Sequence, residues 1–377
     1  MQFRAERDSL AEAVSLSTHV ASTRSTISPL PNLVRLDVAD NTLELLATDL
    51  DTAIRSTVPV TMAVPGTCLV PSRLLADIVR YLPEGAVDVS MDSDGTLRVT
   101  GDRNIFNLRT ALVDDFIPVG FSTDDTVRLP AAQLITSIKQ VTRSAATDDS
   151  RPLLTGVSIQ QSATTIRLLA TDSYRVSIKE ISNTNGSSSD TSEYVIPAKV
   201  LRELSRIIGS TDANAGNEDS LVGIHLSDTD ACFHYGSVAV YTRLMDGRFP
   251  PFDSIIKPTY DNRILVDITE IADALKRVGL LAKDEMTKVT IHPEDGIISL
   301  RVVSQQLGEA SAAVPALFEG DTQSTIGFNP AYLLDGIDAL EGDKCEIRYS
   351  GDDAAALITT PEDASFRYLL MPIKIKT

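Results

Sequence analysis

Few side chains in this sequence are spaced for chemistry, and they lie far apart. Close-set acids occur at Asp49 and Asp51, Asp114 and Asp115, and Asp148 and Asp149. Such a pair can divide acid and base duties when a cleft separates the two pKa values. Here the neighbours are turn-forming Thr, Ser and Gly, which reads as solvated loop carboxylates. His19, His225, His234 and His292 show no metal-ligand spacing and read as surface or internally bonded residues. Cys68, Cys232 and Cys345 lack any CxxC spacing, which points to small buried hydrophobes in a reducing cytoplasm and away from a disulfide framework or zinc. No phosphate loop, GxGxxG, HExxH or GxSxG is found. The expectation is a non-catalytic chain with no cofactor and no metal.

The chain has 377 residues, with 34 Lys+Arg against 52 Asp+Glu and a net charge of -18. The hydrophobic fraction of 43% and charged fraction of 23% are those of a globular protein long enough for two or three domains. No apolar run approaches the roughly 20 residues that span a bilayer, and the start, Met1 to Asp8, lacks the apolar core of a secretory signal. So acidic a chain does not grip nucleic acid with its whole surface, though it can carry a basic patch.

The elements that must position any site repeat. Leu45-Leu46-Ala47-Thr48-Asp49 returns as Leu168-Leu169-Ala170-Thr171-Asp172. Val70-Pro71 before Leu74-Leu75 resembles Ile196-Pro197 before Val200-Leu201 and Asn329-Pro330 before Leu333-Leu334. With Ile298 to Val303 as a third copy of the strand, the period is roughly 125 residues. The fold class is therefore α+β: three repeated domains, 1–126, 127–258 and 259–377, each built from two copies of a strand, a helix and three strands. In the second, a strand over Thr126 to Leu129 precedes a helix opened by Pro130 and striped by Leu134, Ile138, Val141 and Ala145. Leu153 to Ile159, Thr165 to Ala170 and Arg175 to Ile181 read as strands. Asn183 to Asp190 reads as a loop, and Pro197 opens a helix burying Val200, Leu201, Leu204, Ile207 and Ile208. Strands over Leu221 to Leu226, Ala231 to Tyr235 and Ala239 to Leu244 close the unit.

Basic residues concentrate on helix faces opposite these stripes: Arg73 and Arg80, Lys139 and Arg143, Lys199, Arg202 and Arg206, then Lys276 and Arg277 with Lys283 just after. The second helix of the third copy departs, carrying Asp335 and Asp338. Three repeats in a row leave a sheet edge at each end. Arg103 to Arg109, with Phe106 and Leu108, is the candidate edge at one end, and Leu280 and Leu281 are apolar candidates just past a helix at the other. Two copies joined end to end satisfy both.

Several stretches, in this order, resemble the bacterial DNA polymerase III beta subunit family, the beta sliding clamps that act as processivity factors. They are Arg24 with Thr26-Ile27, Arg151 and Leu154 before Gly156, Ala170 to Arg175, Asp246 to Pro250, and Tyr368 to Ile375. The resemblance covers the whole chain. It implies a head-to-tail homodimeric ring whose helices line a channel for double-stranded DNA, held without sequence preference. Arg24 joins the basic residues named above as a channel residue. Phe106 and Leu108 would meet Leu280 and Leu281 of a second copy. It also implies a nucleoid-associated cytoplasmic protein that tethers the DNA polymerase III alpha subunit, the clamp loader and repair polymerases through linear motifs.

Carried over from the family, the inner part of the partner groove is Arg151, Leu154, Thr171, Ser173, Tyr174, Arg175 and Val176, with Pro250, Ser254, Ile255, Leu369 and Met371. The flanking part is Met286, Asn329, Tyr332, Asp353, Ala355, Pro372, Ile373, Lys374 and Ile375. Ser173-Tyr174 stands where the family usually has Gly-His, Ser254 where it has Arg, and Ile373-Lys374-Ile375 departs from its usual ending. These changes bear on which peptides the groove prefers. A repeat-built enzyme such as an enolpyruvyl transferase is the rival reading. It requires Arg and Lys converging on a catalytic carboxylate, whereas here they are strewn along helices. A scaffold without DNA is the other alternative.

Overall fold

The computed structural model describes residues 1–20, 32–117, 119–183, 191–211, 220–252, 255–282 and 287–375. A strand, a helix and three strands recur along it. The first copy runs β1 (Gln2–Glu6), α1 (Arg7–Ser17), β2 (Leu33–Ala39), β3 (Thr42–Thr48) and β4 (Thr52–Pro59). A short β5 (Thr61–Val64) precedes β6 (Gly66–Pro71), α2 (Ser72–Tyr81), β7 (Ala86–Met91), β8 (Thr96–Gly101) and β9 (Asn104–Arg109). Next come β10 (Val127–Pro130), α3 (Ala131–Val141), β11 (Gly156–Gln161), β12 (Thr165–Thr171) and β13 (Arg175–Ser182). The pattern repeats as β14 (Ser192–Pro197), α4 (Ala198–Thr211), β15 (Leu221–Leu226), β16 (Asp230–Tyr235) and β17 (Val238–Arg243). The fifth copy is β18 (Asn262–Asp267), α5 (Ile268–Val278), β19 (Val289–Glu294), β20 (Ile297–Ser304) and β21 (Gly308–Glu319). The last is β22 (Ile326–Phe328), α6 (Pro330–Ile337), β23 (Lys344–Tyr349), β24 (Ala356–Thr359) and β25 (Phe366–Leu370).

By internal contacts, Met1–Ile135 with Arg202–Leu244 forms one compact unit, and Thr136–Leu201 with Met245–Thr377 another. The first holds a five-stranded sheet, β5-β1-β7-β8-β9, and an eight-stranded one, β10-β15-β16-β17-β4-β3-β2-β6. The second holds a twelve-stranded sheet, β14-β11-β12-β13-β25-β24-β23-β18-β21-β20-β19-β22. In each unit a sheet passes from one copy into another through an antiparallel pair: β4 with β17, where Ala53 faces Tyr241, and β13 with β25, where Val176 faces Leu369.

The helical stripes bury as their spacing dictates. Leu134, Ile138 and Val141 are buried, as are Val200, Leu201, Leu204, Ile207 and Ile208. Each is worth about 1.5–3 kcal/mol over an exposed position. Four local readings need correction. Pro130 and Pro197 end strands, and their helices start one residue later. Proline's fixed φ suits the last extended residue, where its missing N–H is not needed. Pro152–Thr155 is a 3-10 turn that a Pro opens, not strand, with Leu154 N–H donating to the Arg151 carbonyl at 3.0 Å. β14 went unread as a strand because a polar loop runs into it, and residues 184–190 of that loop lie outside the described set. Leu108 is core, 7% exposed, whereas Ile105 on the same strand is 61% exposed.

Candidate functional site

The repeated pentapeptide builds one turn twice. Thr48 Oγ1 donates to the Thr52 carbonyl at 2.9 Å and accepts from Leu50 N at 3.0 Å. Thr171 Oγ1 donates to the Arg175 carbonyl at 2.7 Å and accepts from Ser173 N at 3.0 Å. Asp49 accepts from Asp51 N and Thr52 N, and Asp172 from Tyr174 N and Arg175 N. Arg243 N then donates to the Asp51 carbonyl at 2.8 Å, and Met371 N to the Tyr174 carbonyl at 2.9 Å. Asp49 and Asp172 are thus turn-makers, not acid–base groups.

At the second of these turns the side chains enclose a cleft of about 230 Å³. Its lining includes Leu154, Thr171, Ser173, Tyr174, Arg175, Val176, Pro250, Ile255, Leu369 and Met371, so ten of the inner residues carried over from the family meet. Ala355, expected on the flank, also lines it, with Pro251 and Phe252, which sequence reasoning missed. The consecutive Pro250-Pro251-Phe252 run was the available signal, and the Phe252 ring lies 4.7 Å beneath the Arg167 guanidinium. Arg151 is not in the lining but donates to Ser173 Oγ at 2.7 Å, steadying the turn. Ser254 lies outside the described residues. Leu154, Val176, Phe252 and Leu369 form an apolar floor backed by Leu169, while Tyr174 stays 61% exposed at the rim. A trough with an apolar floor and few polar groups takes an extended peptide through large apolar side chains.

One buried cation stiffens the wall. Arg175 donates to Asp172 Oδ2 at 2.9 Å and to Asp335 Oδ2 at 2.6 Å. Its guanidinium lies 4.2 Å from the centre of the Tyr332 ring, which packs 6.4 Å from the ring of Tyr174. The Tyr368 hydroxyl donates to the Tyr332 carbonyl at 2.7 Å, and burial pushes its pKa up. Gly336 lets that ring approach α6, since a Cβ there would stand 2.5 Å from it. Asp335, which broke the basic pattern of the helices, is therefore the counter-charge of Arg175.

Of the flanking set, Ala355 lines the cleft and Tyr332 packs against Tyr174 at its rim. Asn329 caps α6 by accepting from Ala331 N and Tyr332 N. Asp353 pairs with Lys374 at 2.7 Å, lowering the acid's pKa and raising the amine's through their hydrogen bond. Ile373 N donates to the Gly327 carbonyl at 2.7 Å, tying the tail that carries Pro372 and Ile375 to β22. Met286 lies outside the described residues.

Of the basic candidates, Arg73, Arg80, Lys139, Lys199, Lys276 and Arg277 are exposed on their helices. Arg80 pairs with Asp77 at 3.2 Å, and Arg206 with Glu203 at 3.3 Å. Arg202 is half-buried, and burial first, then Arg206, lowers its pKa. Arg143 sits on a 3-10 turn after α3, 4.0 Å from Asp335. Arg24 and Lys283 lie outside the described residues.

The expected edge is real: β9 ends the five-stranded sheet, with Phe106 38% exposed. Leu280 is 72% exposed on the short turn after α5, while Leu281 is half-buried against the neighbouring core. A second open edge lies nearby in sequence. In β21, Ala316 to Glu319 pairs with β18 and Gly308 to Pro315 pairs with β20 on the opposite side. Among the described residues, the latter stretch has an unpaired side.

The remaining chemistry-bearing residues are accounted for. Cys68, Cys232 and Cys345 are buried free thiols, and burial pushes Cys68 up to about 12. His225 and His234 bond the carbonyls of Asp124 and Ser122, His292 bonds Thr325, and His19 pairs with Glu203. Among the described residues no helix is long and apolar enough to cross a membrane.

Three family models match the chain in tandem: the N-terminal domain of the DNA polymerase III beta subunit over residues 1–119, the central domain over 128–251 and the C-terminal domain over 254–374. Among curated relatives, the beta sliding clamps of Streptomyces coelicolor and Synechocystis are 28% and 29% identical, each over 100% of both chains. The crystal structure of the Bacillus subtilis sliding clamp superposes with a TM-score of 0.92 at 26% identity over 100% of both chains. A Pseudomonas aeruginosa clamp bound to griselimycin superposes with a TM-score of 0.91 at 25% identity, again over 100% of both.

Proposed function

The chain belongs to the DNA polymerase III beta subunit family, the bacterial sliding clamps, and on that footing we propose that two copies close head to tail around duplex DNA and tether a replicative polymerase to it. The observation that carries this reading is the contrast between basic helix faces and a chain of net charge -18. Encirclement retains DNA by topology, so tight contacts are unnecessary and would slow sliding. A modest basic lining meets phosphates through exchangeable contacts and reads no bases. The acidic remainder discourages DNA from binding elsewhere. The clamp breaks no bond and acts as a processivity subunit.

In this reading residues 1–126, 127–258 and 259–377 are the three domains. At each joint the exposed edge of β9 pairs with the open side of β21 in the second copy, and Phe106 meets Leu280. The cleft around Leu369 and Met371 receives linear motifs from the polymerase alpha subunit, the clamp loader and repair polymerases in the cytoplasm at the nucleoid. The test is primer extension by a cognate polymerase with loader present. Product length should rise sharply when this protein is added, and excess Leu- and Phe-anchored peptide should return it to the polymerase-alone value. Product length indifferent to the protein would contradict the proposal.

A further inference from the structure

Asp335 faces two arginines with different duties. Through Oδ2 it holds Arg175 at 2.6 Å, and through Oδ1 it stands 4.0 Å from Arg143. Arg175 is buried in the cleft wall, whereas Arg143 is exposed just past the basic face of α3. Beyond Arg175, contacts run through Tyr332 to Tyr174 at the rim. The two cations pull on different oxygens of one carboxylate, so while Arg143 stays close the placement of Asp335 against Arg175 is a compromise between two directions.

We infer that Asp335 is a positioning residue for the cleft, and that its grip on Arg175 tightens when a DNA phosphate engages Arg143. The inference rests on reading the α3 face as DNA-facing and the cleft as the peptide site. A phosphate at Arg143 satisfies that guanidinium and draws it from Oδ1, leaving Asp335 to Arg175. The wall carrying Tyr332 and Tyr174 is then better ordered, and peptide binds more tightly to a ring holding DNA. Partners are thereby favoured where they are useful. By reciprocity, bound peptide strengthens DNA binding by the same factor. The Arg143 pair is part-exposed and at the outer limit of contact, so the factor falls at the low end of ordinary coupling, about fivefold.

The experiment is fluorescence anisotropy of a labelled peptide with Leu and Phe anchors, titrated with the full-length protein at low salt, with and without a saturating short linear duplex. In the wild type the duplex should lower the peptide Kd by about fivefold. Asp335→Asn and Arg143→Gln should both still bind peptide, with a Kd that ignores the duplex. Arg143 is exposed, so its variant keeps the test open if Asp335→Asn fails to fold. A wild-type Kd unmoved by bound duplex, or a wild-type ratio in Arg143→Gln, overturns the inference alone. Failure of the wild type to bind peptide in either condition overturns the cleft reading and this inference with it.

Discussion

Leu50 and Ser173 occupy the same backbone position of the repeated turn, with φ of 80° and 81°. Neither is glycine, and a side chain costs about 1–2 kcal/mol in this left-handed region. The threonine and aspartate beside each one hold the strained residue in place with the same hydrogen bonds. The turn is thus a structural device used in both copies, and in the second its rim residues also shape the cleft.

Removing the threonine hydroxyl should therefore destabilise both turns while affecting binding at only one. Thr48→Val and Thr171→Val should each lose about 1–3 kcal/mol in urea unfolding. Only Thr171→Val should weaken peptide binding, as read by anisotropy.

Met371 reaches the cleft from the end of β25 and is 39% exposed. Met371→Ala removes apolar contact from the mouth without disturbing the floor. Peptide Kd should rise about tenfold, with the molar mass from light scattering unchanged.

Position on β9 decides the next outcome. Phe106→Lys places a charge on the exposed edge and should yield monomer by light scattering, as should Leu280→Ala with Leu281→Ala. Leu108→Ala empties a buried site, so it should instead cost about 2–5 kcal/mol in unfolding. If Leu108→Ala were as stable as wild type and merely monomeric, the assignment of Leu108 to the core would be wrong.

Such contrasts show how far the residues speak before folding. The stripe of Leu134, Ile138 and Val141 was legible because helical spacing and burial report the same face. The groove lining was legible largely through family likeness, since Thr171 and Leu369 meet only when β13 pairs with β25. Leu108 shares a strand face with Phe106 by the two-residue period, so spacing alone does not show that the core covers one and leaves the other 38% exposed. Asp335 defied explanation in sequence because its partner, Arg175, lies on a strand far along the chain.

Acid should expose another buried ion set. Glu346 is nearly buried between Arg263 and Arg348. Burial opposes its charge, yet hydrogen bonds from those arginines prevail and hold its pKa below 4.5. Its contribution to stability is therefore present above pH 4.5 and fades as pH falls through the lower folded value. Urea unfolding across that window should show wild type losing stability more steeply than Glu346→Gln.

Retention on DNA tests the central claim most directly. The protein is loaded onto closed circular duplex, moved into salt high enough to screen phosphate contacts, and followed by gel filtration before and after the circle is cut once. It should co-elute with the intact circle and leave when the circle is opened. Equal retention on both forms, or release from both by salt alone, would contradict encirclement.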